Sequence, residues 1–205
     1  MDGGLIMGNV RLYGSTSGYT ELAPPAIAPD GVLSLPTGTG TLATTAFVNT
    51  AVAAGGKVLQ VVSVTKVDSF TTTSTTFTDI TGLTASITPS STSSKILVLG
   101  KIGVNIRDND IGITRLLRQS TVIGGGTAVG SRASAHSSSF TRDLYGTTDQ
   151  TTLFLDSPNS VSSQTYKIQA AVEGGTLGIN TTGGDGDSFW DSRTASTITL
   201  MEISA

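Results

Sequence analysis

The sequence predicts a mainly β protein in three parts: an N-terminal extended or β segment (1–42), one short helix (43–56) and a C-terminal antiparallel β-sandwich, jelly-roll-like (57–205). Three observations predict it. Its 205 residues include 34 Thr, 25 Ser and 25 Gly, with only 13% charged. Thr suits strands, Ser and Gly suit turns, and the residues of solvated helix faces are scarce. From Lys57 onward the apolar period is two.

Residues 1–42 carry only Asp2, Arg11, Glu21 and Asp30 as charges and hold Pro24, Pro25, Pro29 and Pro36. Short β-prone pieces, VRLYG, YTELA and VLSLP, alternate with Gly, Ser and Pro. That is too little apolar material for an independent core, so packing on something else must order the segment.

TTAFVNTAVAA (44–54) reads as the one helix. Thr44 or Thr45 caps it and Gly55-Gly56 ends it. Phe47 and Ala51 form a stripe with Val48 and Val52 beside them. Eleven residues are marginal as an isolated helix in water, so a partner surface is required. These small and β-branched side chains suit a three-helix neck around an axis; the alternative is a helix lying on its own domain.

In the C-terminal part, Tyr166, Ile168, Ala170 and Val172 share one strand face, opposite Thr165, Lys167 and Gln169. Leu83, Ala85 and Ile87 alternate with Thr84 and Ser86. Ile96, Val98, Ile102, Val104 and Ile106 repeat the pattern across KILVLGKIGVNI. Further strands are expected at 58–67, 70–78, 111–118, 151–156 and 194–203. About eight strands with turn-rich connections predict the antiparallel sandwich.

Several function classes drop out. SLPTGTGTLATTAFVNTAVAAGGKVLQVVSVTKVD (34–68) orders its features as a dinucleotide site does. A strand-like run at Val32–Leu35 meets glycines at Gly38 and Gly40 and Ala43, then a helix, a second strand and the acid Asp68. Such a site needs repeated strand–helix–strand units, and here one short helix is followed only by strands and turns. The glycines instead give a tight passage into the helix.

The formal charge of −3 is dispersed and no Lys/Arg cluster could neutralise a run of phosphates, so no nucleic-acid partner is expected. No stretch nears eighteen apolar residues, so no membrane span is expected. MDGGLIMGNV lacks the basic and apolar regions of a secretory signal. With no cysteine there is no disulfide or thiolate chemistry.

Residues 14–54, GSTSGYTELAPPAIAPDGVLSLPTGTGTLATTAFVNTAVAA, resemble the anchoring and neck region of tail-fibre proteins from marine and cyanobacterial phages. SVTKVDSFTTTSTTFTDITGLTASITPSSTSSKILVLGKIGV (63–104) and TASTITLMEISA (194–205) look like the terminal β domain of such fibres. The resemblance implies a homotrimer on the virion surface, its N-terminal segment bound to other virion proteins of tail or capsid. The β domain would face outward to a host-surface glycan or protein. The chain lacks the repeat-rich shaft of a long fibre, which leaves open a tail fibre, a head fibre or a capsid decoration (cement) protein. A polysaccharide-degrading tailspike would need paired carboxylates on a long repetitive β-helix, and no such repeat is present.

Neither enzymatic activity nor a cofactor is expected. The single histidine, His136, could serve as a base for Ser137, Ser138 or a distant serine, but a Ser-rich loop supplies such neighbours by composition alone. GSTSG (14–18) has Thr16 where a nucleophile elbow has its serine, and reads as a turn. GGDGDSFWDSR (183–193) is the most distinctive loop. Asp185, Asp187 and Asp191 are oxygen ligands in type, yet they lack the spacing and bidentate Glu of a calcium loop, so no metal is expected. Trp190 either plugs one end of the sandwich or, with Phe189, stacks on a sugar while the acids bond its hydroxyls. IRDNDIG (106–112) is a hairpin turn or part of the same polar rim. The candidate receptor contacts are therefore Arg107, Asp108, Asp185, Asp187, Trp190 and Asp191.

Overall fold

A computed structural model describes residues 10–13, 19–22, 56–107, 110–140 and 145–205. Two compact units divide the chain at Asn49/Thr50. In the first, β1 (Val10–Tyr13) and β2 (Tyr19–Leu22) pair antiparallel, with Val10 opposite Leu22 and Tyr13 opposite Tyr19. These are the pieces VRLYG and YTELA. The expected helix with Phe47, Val48, Ala51 and Val52, and the GSTSG turn, lie outside the described residues.

The second unit is mainly β, and its two sheets are antiparallel throughout. Its strands are β3 (Val58–Lys66), β4 (Phe70–Thr72), β5 (Thr78–Ile87), β6 (Lys95–Ile106), β7 (Ile111–Arg118), β8 (Thr121–Ile123), β9 (Ser137–Phe140), β10 (Thr148–Asp156), β11 (Gln164–Val172), β12 (Leu177–Ile179) and β13 (Ser196–Ile203). One sheet runs β3–β13–β6–β10, with β4 and β12 continuing the rows of β3 and β13. The other runs β5–β11–β7, with β8 and β9 end to end along the free side of β7.

Period two explains the core. Ile96, Val98, Ile102, Val104 and Ile106 point inward from β6, and meet Leu83, Ala85 and Ile87 of β5 and Tyr166, Ile168, Ala170 and Val172 of β11; all are buried. Burying each large aliphatic among them is worth roughly 1.5–3 kcal/mol. In β5 the alternation slips: Ile80 and Leu83 are both buried although three residues apart. The register against β11 shifts at the same place, and Gly82 sits there at φ 85°. Glycine supplies the left-handed bulge residue, so Ile80 returns to the core. The strand expected over 70–78 ends at Thr72, because Ser74 and Thr76 close a turn through the Ser74 hydroxyl, which donates to the Thr76 carbonyl at 2.6 Å.

Candidate functional site

The loop between β12 and β13 is built on one buried asparagine. Asn180 adopts φ 58°, a left-handed conformation that Asn tolerates. Its Nδ2 donates to the carbonyls of Lys66 (2.9 Å) and Asp68 (3.1 Å), and its Oδ1 accepts from the Ser196 hydroxyl at 2.6 Å. The loop is thereby clamped to the turn after β3 and to the start of β13. Asp68, the acid of the 34–68 stretch, accepts from Lys66 Nζ at 2.8 Å, which holds its carboxyl below the usual range.

Beyond Asn180 two of the acids, Asp191 and Asp185, are occupied within the loop. Asp191 accepts from the Thr182 hydroxyl (2.5 Å) and the Ser188 hydroxyl (2.8 Å), and these bonds, Thr182 first, lower its pKa. The chain wraps closely round that carboxylate: a Cβ at Gly184 would fall 2.9 Å from Asp191 Oδ1. Asp185 accepts from the Thr181 hydroxyl at 2.8 Å and pairs with Arg193 at 2.6 Å. No group of three or more His, Cys, Asp or Glu that could hold a metal occurs among the described residues.

With its polar groups turned onto one another, the loop leaves its aromatics outside. Phe189 is 87% exposed and Trp190 71%, their rings edge to face with centroids 5.3 Å apart. Trp190 therefore does not plug the end of the domain. Two large exposed aromatics side by side on a braced loop form an apolar patch of the kind that marks binding surfaces. Arg107 reaches the base of the same loop, its guanidinium donating to the Thr182 carbonyl at 3.3 Å. Asp187 is exposed on the same loop. Asp108 lies outside the described residues. Asn180 and Thr182, which shape the loop, are not among the residues the sequence singles out, and their one signal is the turn-forming run NTTGG; Ser188 lies within GGDGDSFWDSR but carries no signal of its own.

His136 is placed for packing. Both ring nitrogens are buried without a hydrogen bond, and the ring meets Phe154 edge-on at 6.3 Å. Burial lowers its pKa from the usual 6.5. The unfolded chain then takes up the proton first, so stability is complete above about pH 6.5 and declines as pH falls below it. Unfolding in urea at pH 7 and pH 5 is expected to show this decline, and His136→Leu is expected to flatten it. A slope that survives in the variant would assign it to other groups.

No helix among the described residues is long and apolar enough to cross a membrane. No protein-family model matches the chain, and no curated protein does. Among solved structures, the chain is similar to the VP2 subviral particle of infectious bursal disease virus at 12% identity and TM-score 0.34, over 91% of this chain and 45% of that one. It is also similar to the structure of the Gx strain of that virus, at 14% identity and TM-score 0.33, over 93% and 49% respectively. The chain spans about half the length of these structures.

Proposed function

We propose that this chain is a virion structural protein, a short homotrimeric fibre of the phage tail-fibre kind. Its N-terminal segment joins it to other virion proteins, the 44–54 helix forms a neck, and the β domain contacts a host-surface glycan or protein. It acts by binding, without catalysis or cofactor. Counting β3/β4, β8/β9 and β12/β13 as single positions gives eight in chain order. One sheet then holds positions one, eight, three and six, and the other two, seven, four and five. That is the order of a jelly roll, an architecture used by viral capsid and lectin domains; the step from fold to virion is an analogy of fold.

The observation that carries the receptor role is the exposed Phe189–Trp190 pair, on a loop that also carries the exposed Asp187 and is held at its base by Arg107. An aromatic face stacks on the apolar side of a sugar ring or on a protein side chain, while flanking polar groups orient it. Weak single contacts suffice, because several tethered on one particle raise avidity by roughly 10²–10⁴.

Trp190→Ala tests this reading. Binding of the purified protein to susceptible host cells is expected to fall at least ~10-fold, while the melting temperature stays within about 2 °C, since an exposed side chain contributes little to stability. Unchanged binding would remove the loop from the contact. Absence of any wild-type binding would transfer the protein to the cement role, contacting capsid alone.

A further inference from the structure

The outer face of the β3–β13–β6–β10 sheet carries a cluster of apolar side chains where a free sheet face is ordinarily polar. Cross-strand register aligns Val61, Met201, Leu97 and Leu155 in one row over all four strands. The next row is Ser63, Thr199, Leu99 and Leu153. Leu153 is 68% exposed, Val61 54% and Leu155 53%. In β6 this gives an almost unbroken apolar run, ILVLG, the pattern of a strand covered on both faces.

We propose that a second copy of this chain packs on that face, making the β domain itself an assembly surface. A face meeting its own kind is a two-fold contact, so it is separate from the three-fold neck proposed above, on which this inference rests for the homo-oligomer, and it would join one trimer to another. The area fits a small contact with a copy. Four strands at about 4.8 Å spacing and three residue pairs along each give roughly 400 Å² of flat surface. Two such faces bring about 800 Å² together before side-chain relief, which places the contact at the small, weak end of interfaces between proteins. Charge supports it as well. The two central rows carry no ionised group; Lys95, which donates to the Ser157 hydroxyl at 2.9 Å, borders them at one end and Lys101 at the other, so like charges are confined to the margins of the patch. Lys101 and Asp149, at one end, neutralise each other at 3.1 Å. Beside Leu153 a groove of about 300 Å³, lined by Leu99, Thr151, Thr197 and Thr199 with Lys101 at its end, has room for a side chain from the second copy.

The chain has no cysteine, so a single introduced thiol reports one position. Leu153→Cys in the full chain is compared with Val161→Cys, at a residue 53% exposed outside this face. Maleimide labelling of Leu153→Cys is expected to be at least ~10-fold slower, because thiol reactivity follows access. A short bismaleimide is expected to link it to a second chain. Labelling as fast as at Val161→Cys overturns the proposal, as does protection without any link to a second chain, which would mean that another segment of the same chain covers the face. Light scattering separates this from the trimer reading. An assembly with freely reactive Leu153→Cys removes this surface alone, whereas a mass of one copy, 20.9 kDa, removes both.

Discussion

Asp156→Ala is expected to lower the melting temperature of the β domain by roughly 10 °C. Asp156 ends β10 in one sheet, and its carboxylate, almost fully buried, reaches two strands of the other. It accepts from Arg118 Nη1 at 2.9 and 2.7 Å and from the Tyr166 hydroxyl at 2.7 Å. Arg118 and Tyr166 face each other across β7 and β11. The carboxylate thus ties the two sheets together at one end of the core. Removing it leaves the Tyr166 hydroxyl, in a fully buried side chain, without its acceptor and a largely covered guanidinium without its counter-charge. Breaking a buried pair from one side costs about 3–5 kcal/mol. For a domain of this size each kcal/mol moves the melting temperature by about 2–4 °C.

Tyr166→Phe separates the polar contribution from packing. It keeps the ring in the core and removes one hydrogen bond to a charged group, a loss of roughly 1.5–3 kcal/mol. Calorimetry is expected to rank Asp156→Ala as more damaging than Tyr166→Phe. An Asp156→Ala protein that melts within about 3 °C of wild type would show that the sheets are held by apolar packing alone.

Much of this fold is legible in the sequence because the inner faces are written in period two. β7 has the expected limits, and β3, β6, β11 and β13 begin or end within two residues of theirs. The short strands β8, β9 and β12 are not legible, since three or four residues carry no period and each exists only because a longer neighbour offers a free edge. The bulge at Gly82 breaks the alternation, so Ile80 belongs to the core only once the left-handed glycine is known.

Loops give less still. Nothing in GGDGDSFWDSR determines whether Trp190 turns in or out; that depends on Asp191 engaging Thr182 and Ser188, contacts between residues of unremarkable type. The outer apolar face is a different case. Val61, Leu97, Leu153 and Met201 are visible as apolar residues in the sequence, but their alignment in rows is a property of register.

Glu202 is expected to dominate the acid sensitivity of the domain. It lies on the inward face of β13, in phase with Ile198 and Leu200, and is fully buried. Burial alone would raise its carboxyl. Donors outweigh that: the backbone N–H and hydroxyl of Ser90, at 2.7 and 2.6 Å, and Gln60 Nε2 at 2.6 Å, with Ser94 also contributing. The net result is a pKa lowered from 4.5 to about 2. The folded state therefore holds its charge where the unfolded chain has already taken a proton. The stabilisation is complete above about pH 4.5 and is lost as pH falls from there towards 2. Structurally, the carboxylate fastens the turn between β5 and β6 to β13 and, through Gln60, to β3.

Glu202→Gln keeps the shape but presents an amide N–H₂ to groups that are themselves donors. With at least one of them left unpaired in the interior, a loss of about 2–4 kcal/mol at pH 7 is expected. Chemical denaturation of both proteins at pH 7 and pH 3 reads the two effects separately. The gap between them is expected to be wide at pH 7 and to narrow at pH 3, because the wild type loses there what the variant never had. Other carboxylates titrate in both proteins and cancel in the difference. A gap that stays constant between the two pH values would show that the charge of Glu202 contributes nothing and that only its shape is needed.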